Sequence, residues 1–450
     1  MANWREILRH IVNDVETRYD KLKYGLAQRM GWPDSIKIVP YNGYGTQDLF
    51  YLQGRVLEEQ GITPATENDS LWDNLLNTYR RLESDEIPFA RIVARFQEAE
   101  QEVEADEEGM FEVWLEPTHP LPVDHVWHEV EMELLEPTSE EQEGPVRATG
   151  KVFVPPAGAR YVVVSDIDDT VIKMDVGNLL KAARTLFLTN ARTRLPFPGV
   201  AALYRALHAG VSGNDQNPVC YLSSSPWNLY DLLADFIDIN ALPMGPILLR
   251  NYGITEEEIL PLEHRGHKKN ALRQLLDTFT DLPFILVGDS TQQDPEIYQE
   301  IAREYPERIL AIYVRNVSRD LERSRAIEAL AEEVVSAGST LVLADNTLTM
   351  ARHAVRQGWI EQGALGEISK AKARDETPPD PIEELLDEET GARSEAKRGP
   401  TVVLEEKSPD EISTEKIEET LERGQEETER PPTVIVEEGK GENTQDRDPT

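Results

Sequence analysis

The run Val162-Val163-Val164-Ser165-Asp166-Ile167-Asp168-Asp169-Thr170 carries β-branched residues into two carboxylates spaced i, i+2, with a hydroxyl two positions further on. A buried parallel strand reads as a continuous apolar run, and ligands of open α/β sheets bind beyond the carboxyl ends of the strands. Asp166 and Asp168 are therefore expected together at a strand tip. One carboxylate there can attack phosphorus and form an aspartyl-phosphate. The second can protonate the leaving oxygen and later activate water. Carboxylates so placed can also hold Mg²⁺. Taken alone, the pair is also compatible with a helix N-cap or a solvated loop.

Three further segments offer matching chemistry. Val219-Cys220-Tyr221-Leu222-Ser223-Ser224-Ser225 is an apolar strand ending in hydroxyls, and Pro226 suits the first turn of a helix. Hydroxyls and the N–H groups of a helix start can bind a phosphoryl oxygen, or the serines can simply cap the helix. His267-Lys268-Lys269 precedes the helical spacing Ala271, Leu272, Leu275, Leu276. A lysine here can neutralise aspartate and phosphate together, although exposed lysines near helix starts are common. Pro283-Phe-Ile-Leu-Val-Gly288-Asp289-Ser290-Thr291-Gln292-Gln293-Asp294 is again an apolar strand running into glycine and two acids. Asp289 suits direct Mg²⁺ coordination and Asp294 a supporting position. All four segments fall, in order, at a strand end or a helix start, and together they make one phosphoryl-transfer site.

The elements that must position these residues alternate along 156–360. Strand candidates are 161–165, 218–223, 246–250, 283–288, 309–314 and 340–344, separated by helical segments, as in βαβ units around a parallel sheet. Residues 36–155 instead show short strands and turns: 48–57, 88–96, 106–115 and 126–134, with a possible inserted helix at Leu71–Leu82. These suggest a β-sandwich-like unit with no clustered Cys/His set, in keeping with a packing or recognition module. Trp4, Ile7, Leu8, Ile11 and Val15 form one helical stripe in residues 1–35, a docking face rather than a membrane anchor. Residues 371–450 hold 25 acidic and 11 basic residues, and the short apolar islands Val402–Leu404 and Val434–Val436 cannot bury enough surface to order them. The tail is expected to be disordered, its partner unknown.

The motifs resemble the haloacid dehalogenase superfamily of phosphotransferases, and more closely the actin-patch-associated phosphatidate phosphatase family with its bacterial relatives. The D-x-D-x-T motif matches Asp166, Asp168 and Thr170; Ser223 matches the second motif; Lys268, with Lys269 as fallback, matches the third; Asp289 and Asp294 match the fourth. The narrower family is suggested by Leu222-Ser-Ser-Ser-Pro-Trp-Asn-Leu-Tyr230, by Gly288-Asp-Ser-Thr-Gln-Gln-Asp-Pro-Glu-Ile-Tyr298 and by Ala311-Ile-Tyr-Val-Arg-Asn-Val317. Ser224 departs from it, since relatives often carry Asn there. The resemblance covers about residues 150–350 strongly, and residues 40–150 only weakly.

The resemblance implies an α/β fold: a Rossmann-like parallel sheet of haloacid dehalogenase type with a small cap. Spacing, composition and the resemblance together divide the chain into expected domains at 1–35 (amphipathic helix), 36–155 (β-rich, immunoglobulin- or prealbumin-like), 156–365 (phosphatase) and 366–450 (disordered acidic tail), the tail being read from composition alone. Asp166 would be nucleophile and Mg²⁺ ligand. Asp168 would be general acid/base, with its backbone carbonyl on the metal. Asp289 and Asp294 would complete the metal site, and Thr170, Ser223, Ser224 and Lys268 would hold the phosphoryl group. The implied activity releases phosphate from phosphatidate to give diacylglycerol. Alternatives are a phosphoprotein or other phosphomonoester phosphatase, and a scaffold with a vestigial phosphatase fold.

Bulk properties bound these expectations. The chain has 450 residues and a formal net charge of −38, which disfavours nucleic acid and anionic membrane as simple electrostatic partners but leaves room for a local basic patch. Its single cysteine, Cys220, excludes a disulfide framework, suits a reducing compartment and is expected in the core. The first residues lack the basic-then-apolar order of a signal peptide, and no stretch approaches the roughly 18 apolar residues of a membrane span. The expected location is cytoplasmic, with peripheral contact to a membrane. Only about fifty residues separate the first two motifs, too few for a large cap. An open site suits a large substrate such as a lipid headgroup, and Lys173, Lys181, Arg184, Arg192 and Arg194 in that insertion could meet an anionic surface.

Overall fold

The computed structural model describes residues 35–58, 86–122, 125–138, 144–167, 170–171, 197–250, 262–317, 320–376 and 435–436. The N-terminal helical stripe, the Leu71–Leu82 segment, Asp168, the basic insertion and the Val402–Leu404 island lie outside them.

Eight strands form the first sheet: β1 (Ile36–Pro40), β2 (Gly43–Gly45), β3 (Phe50–Glu58), β4 (Arg91–Phe96), β5 (Ala99–Glu104), β6 (Met110–Leu115), β7 (Trp127–Glu136) and β8 (Arg147–Phe153). They pair in the order β1-β3-β2-β8-β7-β4-β5, and β6 joins through β3. The pairing is antiparallel except between β2 and β8. Period-2 alternation turns Phe50, Leu52, Val56, Ile92, Ala94, Phe111, Val113, Val130 and Met132 into one core. The strands pair as one network branched at β3, and Phe50 of β3 packs on Phe96 of β4 and His128 of β7, so the network folds over its own core. The spacing had not suggested β5, because its sequence AEQEVE has no fully buried position and exposes every second residue. As an edge strand it is held by backbone pairing with β4, by charges, and by Ala99 and Val103, which pack partly buried on the core.

The second sheet has the order β11-β10-β9-β12-β13-β14-β15. Its strands are β9 (Val162–Asp166), β10 (Val219–Pro226), β11 (Ile247–Arg250), β12 (Phe284–Asp289), β13 (Ile309–Arg315), β14 (Leu341–Ala344) and β15 (Ile435–Val436). The first six are mutually parallel, and β15 is antiparallel. Helices cover both faces. Val163, Tyr221, Ile285, Val287, Ala311 and Tyr313 pack toward α1 (Val200–Ala209), α2 (Tyr230–Ile239), α6 (Thr347–Arg356) and α7 (Ala364–Glu376). Val162, Val164, Cys220, Leu222, Phe284, Leu286 and Ile312 pack toward α3 (Leu262–Thr278), α4 (Asp294–Glu304) and α5 (Leu321–Ser336). Double coverage is why these strands read as unbroken apolar runs. Cys220 is fully buried, and burial pushes its thiol up out of the reactive range.

Two tail expectations change. A tail starting at residue 366 would cut α7, which packs through Ile368 and accepts the Gly199 N–H on Asp375 at 2.8 Å. The Val434–Val436 island, expected within a disordered tail, instead supplies β15 to the free edge of β14.

Candidate active site

Asp166 ends β9 and Asp289 ends β12, the two central neighbours of the parallel sheet. Asp294 opens α4 on the same side, where the helix N-terminus favours a carboxylate. All three are fully buried, and one carboxylate oxygen from each lies within 4.8 Å of the others. Gly288 makes this closure possible: a Cβ there would stand 2.6 Å from the Asp294 carboxylate. Asp294 therefore stands in the cluster itself, closer than the supporting position the spacing suggested.

Lys268 and Lys269 part ways in α3. The Lys268 ammonium, 2% exposed, sits 2.6 Å from both Asp166 and Asp294 and donates to Gln292 Oε1 at 3.2 Å. Burial would lower it, but the two carboxylates outweigh burial and hold it well above the usual lysine value. Lys269 faces outward to Glu300 at 3.0 Å and to Glu304.

The Asp289 carboxyl accepts the Thr291 N–H at 2.5 Å, the Gln292 N–H at 3.1 Å and the Thr291 hydroxyl, all on Oδ1. Its Oδ2 is buried and has no hydrogen-bond partner among the described residues. Burial first, then the neighbouring Asp294 charge, push it up to about 6 against those hydrogen bonds. Three buried carboxylates and one ammonium leave excess negative charge around an oxygen with no donor. That donor set fits a hard divalent cation.

The phosphate-binding candidates lie on the same sheet end. Ser223 is fully buried beside Asp166, since β10 pairs with β9 at Leu222↔Asp166, and its Oγ accepts the Ser225 N–H at 3.0 Å. Ser224 is half-buried. Thr170 is 2% exposed, and its hydroxyl has no partner among the described residues. Six candidates are thus placed at one sheet end: Asp166, Thr170, Ser223, Lys268, Asp289 and Asp294. Asp168 lies outside the described residues.

The sequence reading missed Arg323. From α5 it donates to the carbonyls of Ser290 at 2.8 Å and Gln292 at 2.6 Å, and it pairs with Glu296. One guanidinium thus spans the loop between Asp289 and Asp294. No local signal marks it, because an arginine in an amphipathic helix is ordinary until its partners are known.

Residues 161–316 match the family model described as Phosphatidate phosphatase APP1, catalytic domain. Phosphatidate phosphatase APP1 of Saccharomyces cerevisiae is 31% identical over 196 residues, 43% of this chain and 32% of that protein. An uncharacterized protein of Schizosaccharomyces pombe is 34% identical over 161 residues, 35% of this chain and 25% of that one. The chain thus spans a third or less of the length of these relatives. Solved structures with a likeness include a Xanthomonas citri carbohydrate acetylesterase (13% identity, TM-score 0.19, 64% of each chain). Another is the PilB minor pilin of Streptococcus sanguinis (10% identity, TM-score 0.24, 63% of this chain and 89% of that one). Both scores are too low to bear on the fold. No helix among the described residues is long and apolar enough to cross a membrane.

Proposed function

We propose that this chain is a Mg²⁺-dependent phosphatase of haloacid dehalogenase type, with residues 156–365 and the whole of α7 as its catalytic unit and 36–155 as a separate β-rich domain. Its favoured substrate is phosphatidate at a membrane surface. The observation that carries this is the buried convergence of Asp166, Asp289 and Asp294 on Lys268 at one sheet end. The lipid substrate draws on the yeast relative's name and on the short span between the first two motifs.

In the proposed reaction an Asp166 carboxylate oxygen attacks phosphorus. The bond from phosphorus to the glycerol oxygen breaks, and Asp168 supplies the proton to that oxygen. Water activated by Asp168 then cleaves the aspartyl-phosphate, returning Asp166 and releasing phosphate. The Lys268 ammonium holds Asp166 in place and offsets charge on the phosphoryl oxygens, while Thr170, Ser223 and Ser224 donate to them. Mg²⁺ bound by Asp166, Asp289, Asp294 and the Asp168 carbonyl would relieve repulsion between carboxylate and phosphate.

The test is phosphate release with Mg²⁺ from phosphatidate vesicles, a phosphopeptide and a small phosphomonoester. Release from phosphatidate that vanishes in Asp166→Asn is expected. Release from the phosphopeptide alone would move the substrate to phosphoproteins, and a wild-type chain inert on all three would sink the enzymatic reading.

A further inference from the structure

The β-rich unit touches the parallel-sheet unit at the segment just beyond the serine end of β10. Between β1 and β2, Tyr41 is 4% exposed and belongs to the same buried cluster as Trp227 and Tyr230. Its ring lies 4.5 Å from Trp227 with the planes 12° apart, and 4.2 Å from Tyr230. The next residue, Asn42, donates its backbone N–H to the Tyr230 hydroxyl at 2.8 Å, across 188 residues of chain. Tyr41 is itself fixed to its own sheet by donating its N–H to the Gln53 carbonyl at 2.8 Å. On the other side, Trp227 comes after Ser225 with a single proline between them. The Ser225 N–H in turn donates to Ser223 Oγ, so the geometry of the strand end and the position of Trp227 are tied. A second contact reaches the other phosphate-binding element: Tyr44 packs 5.8 Å from Phe279, just past the end of α3, which carries Lys268.

We infer that the β-rich unit is a positioning element of the phosphate site. Tyr41 and the Asn42 N–H grip Trp227 and Tyr230 and so set the Ser223–Ser225 end of β10 against Asp166. The inference rests on the phosphatase reading above. Tyr41 is a positioning residue: it touches neither the acids nor the serines, and acts through Trp227. Its loss should therefore weaken binding of the phosphoryl group while leaving the cation site, built on β9, β12 and α4, unaltered.

The experiment uses the full chain with Mg²⁺, p-nitrophenyl phosphate as substrate and inorganic phosphate as competitive inhibitor. Tyr41→Ala is expected to raise both KM and the phosphate inhibition constant about tenfold, with the half-saturating Mg²⁺ concentration unchanged. Tyr41→Phe keeps the stacked ring and should restore wild-type constants. Tyr230→Phe removes only the hydroxyl that Asn42 bonds; a shift of about two- to threefold in the same direction is expected, and it carries the test if circular dichroism shows Tyr41→Ala unfolded. Unchanged KM and phosphate inhibition in folded variants would overturn the inference and leave the phosphatase reading intact, as would half-saturating Mg²⁺ moving in step with KM. A wild type without turnover would overturn that reading instead. The inference is then judged by the thermal shift that inorganic phosphate produces: a smaller shift in Tyr41→Ala than in wild type supports it, and equal shifts, or none in either, overturn it.

Discussion

On the antiparallel sheet, Arg91 pairs with Glu102 and Glu136, and Arg95 with Glu100 and Glu133, among side chains 26–63% exposed. On the parallel sheet, Asp166, Asp289, Asp294 and Lys268 are at most 3% exposed. Both regions pair opposite charges at similar distances, yet the consequences differ. Exposed pairs exchange water for a partner in a high dielectric and contribute little. Buried charges forfeit hydration outright, and removing one partner strands the other. The first arrangement keeps a β-rich surface soluble and its edge strand unattractive to other strands. The second is unfavourable for folding alone, and accords with the proposed chemistry, which needs charge held out of water.

The contrast can be broken or sharpened by measurement. Asp166→Asn should lower phosphate release by more than about 1000-fold. It removes one of three crowded negative charges, so its melting temperature should equal or exceed wild type; a lower one would mean that the acids stabilise the fold. Lys268→Met should cost about 3–5 kcal/mol in urea unfolding without added metal, because two carboxylates lose their buried counter-charge. Mg²⁺ should stabilise the chain by about 2.7 kcal/mol at a hundred times its dissociation constant, seen as a rise in melting temperature that Asp289→Asn abolishes.

Smaller effects belong to the antiparallel sheet. His128 is buried against Phe50 and Phe96, and burial, then the nearby His125, hold it below its ordinary value of 6.5. The folded state keeps it neutral while the unfolded chain takes up a proton below 6.5, so its contribution is intact above that pH and lost as pH falls through it. Melting temperature should drop less between pH 7 and pH 5 in His128→Phe than in wild type. Arg95→Ala, at the far end of the scale, should leave the urea midpoint unchanged within error, whereas a drop comparable to that of Lys268→Met would erase the distinction between the two sheets.

Much of the parallel sheet was legible because its strands are local. Val162–Val164 and Phe284–Val287 announce themselves by composition, and Asp166 and Asp289 stand at their ends. The antiparallel sheet was harder. β5 carries almost no apolar signal, β2 has three residues, and the positive φ at Gln97 turns the β4–β5 hairpin without a glycine to mark it. The α7 helix reads as tail because its charged composition resembles that of residues 377–450, while its anchor is the single buried Ile368 and the Asp375 contact.

The amino-acid sequence by itself determined which residue types stand at the strand tips, since alternation, apolar runs and the residues that end them are properties of neighbours in the chain. Tertiary structure alone decided which neighbouring lysine faces the acids, that Asp294 joins the cluster directly, that Arg323 spans the acid loop and that Tyr41 grips the segment beyond the serines. Apart from the five-residue spacing of Asp289 and Asp294, those contacts join positions from 26 residues apart, Lys268 and Asp294, to 186 apart, Tyr41 and Trp227. Their meeting depends on how whole elements pack, and spacing along a chain carries no record of it.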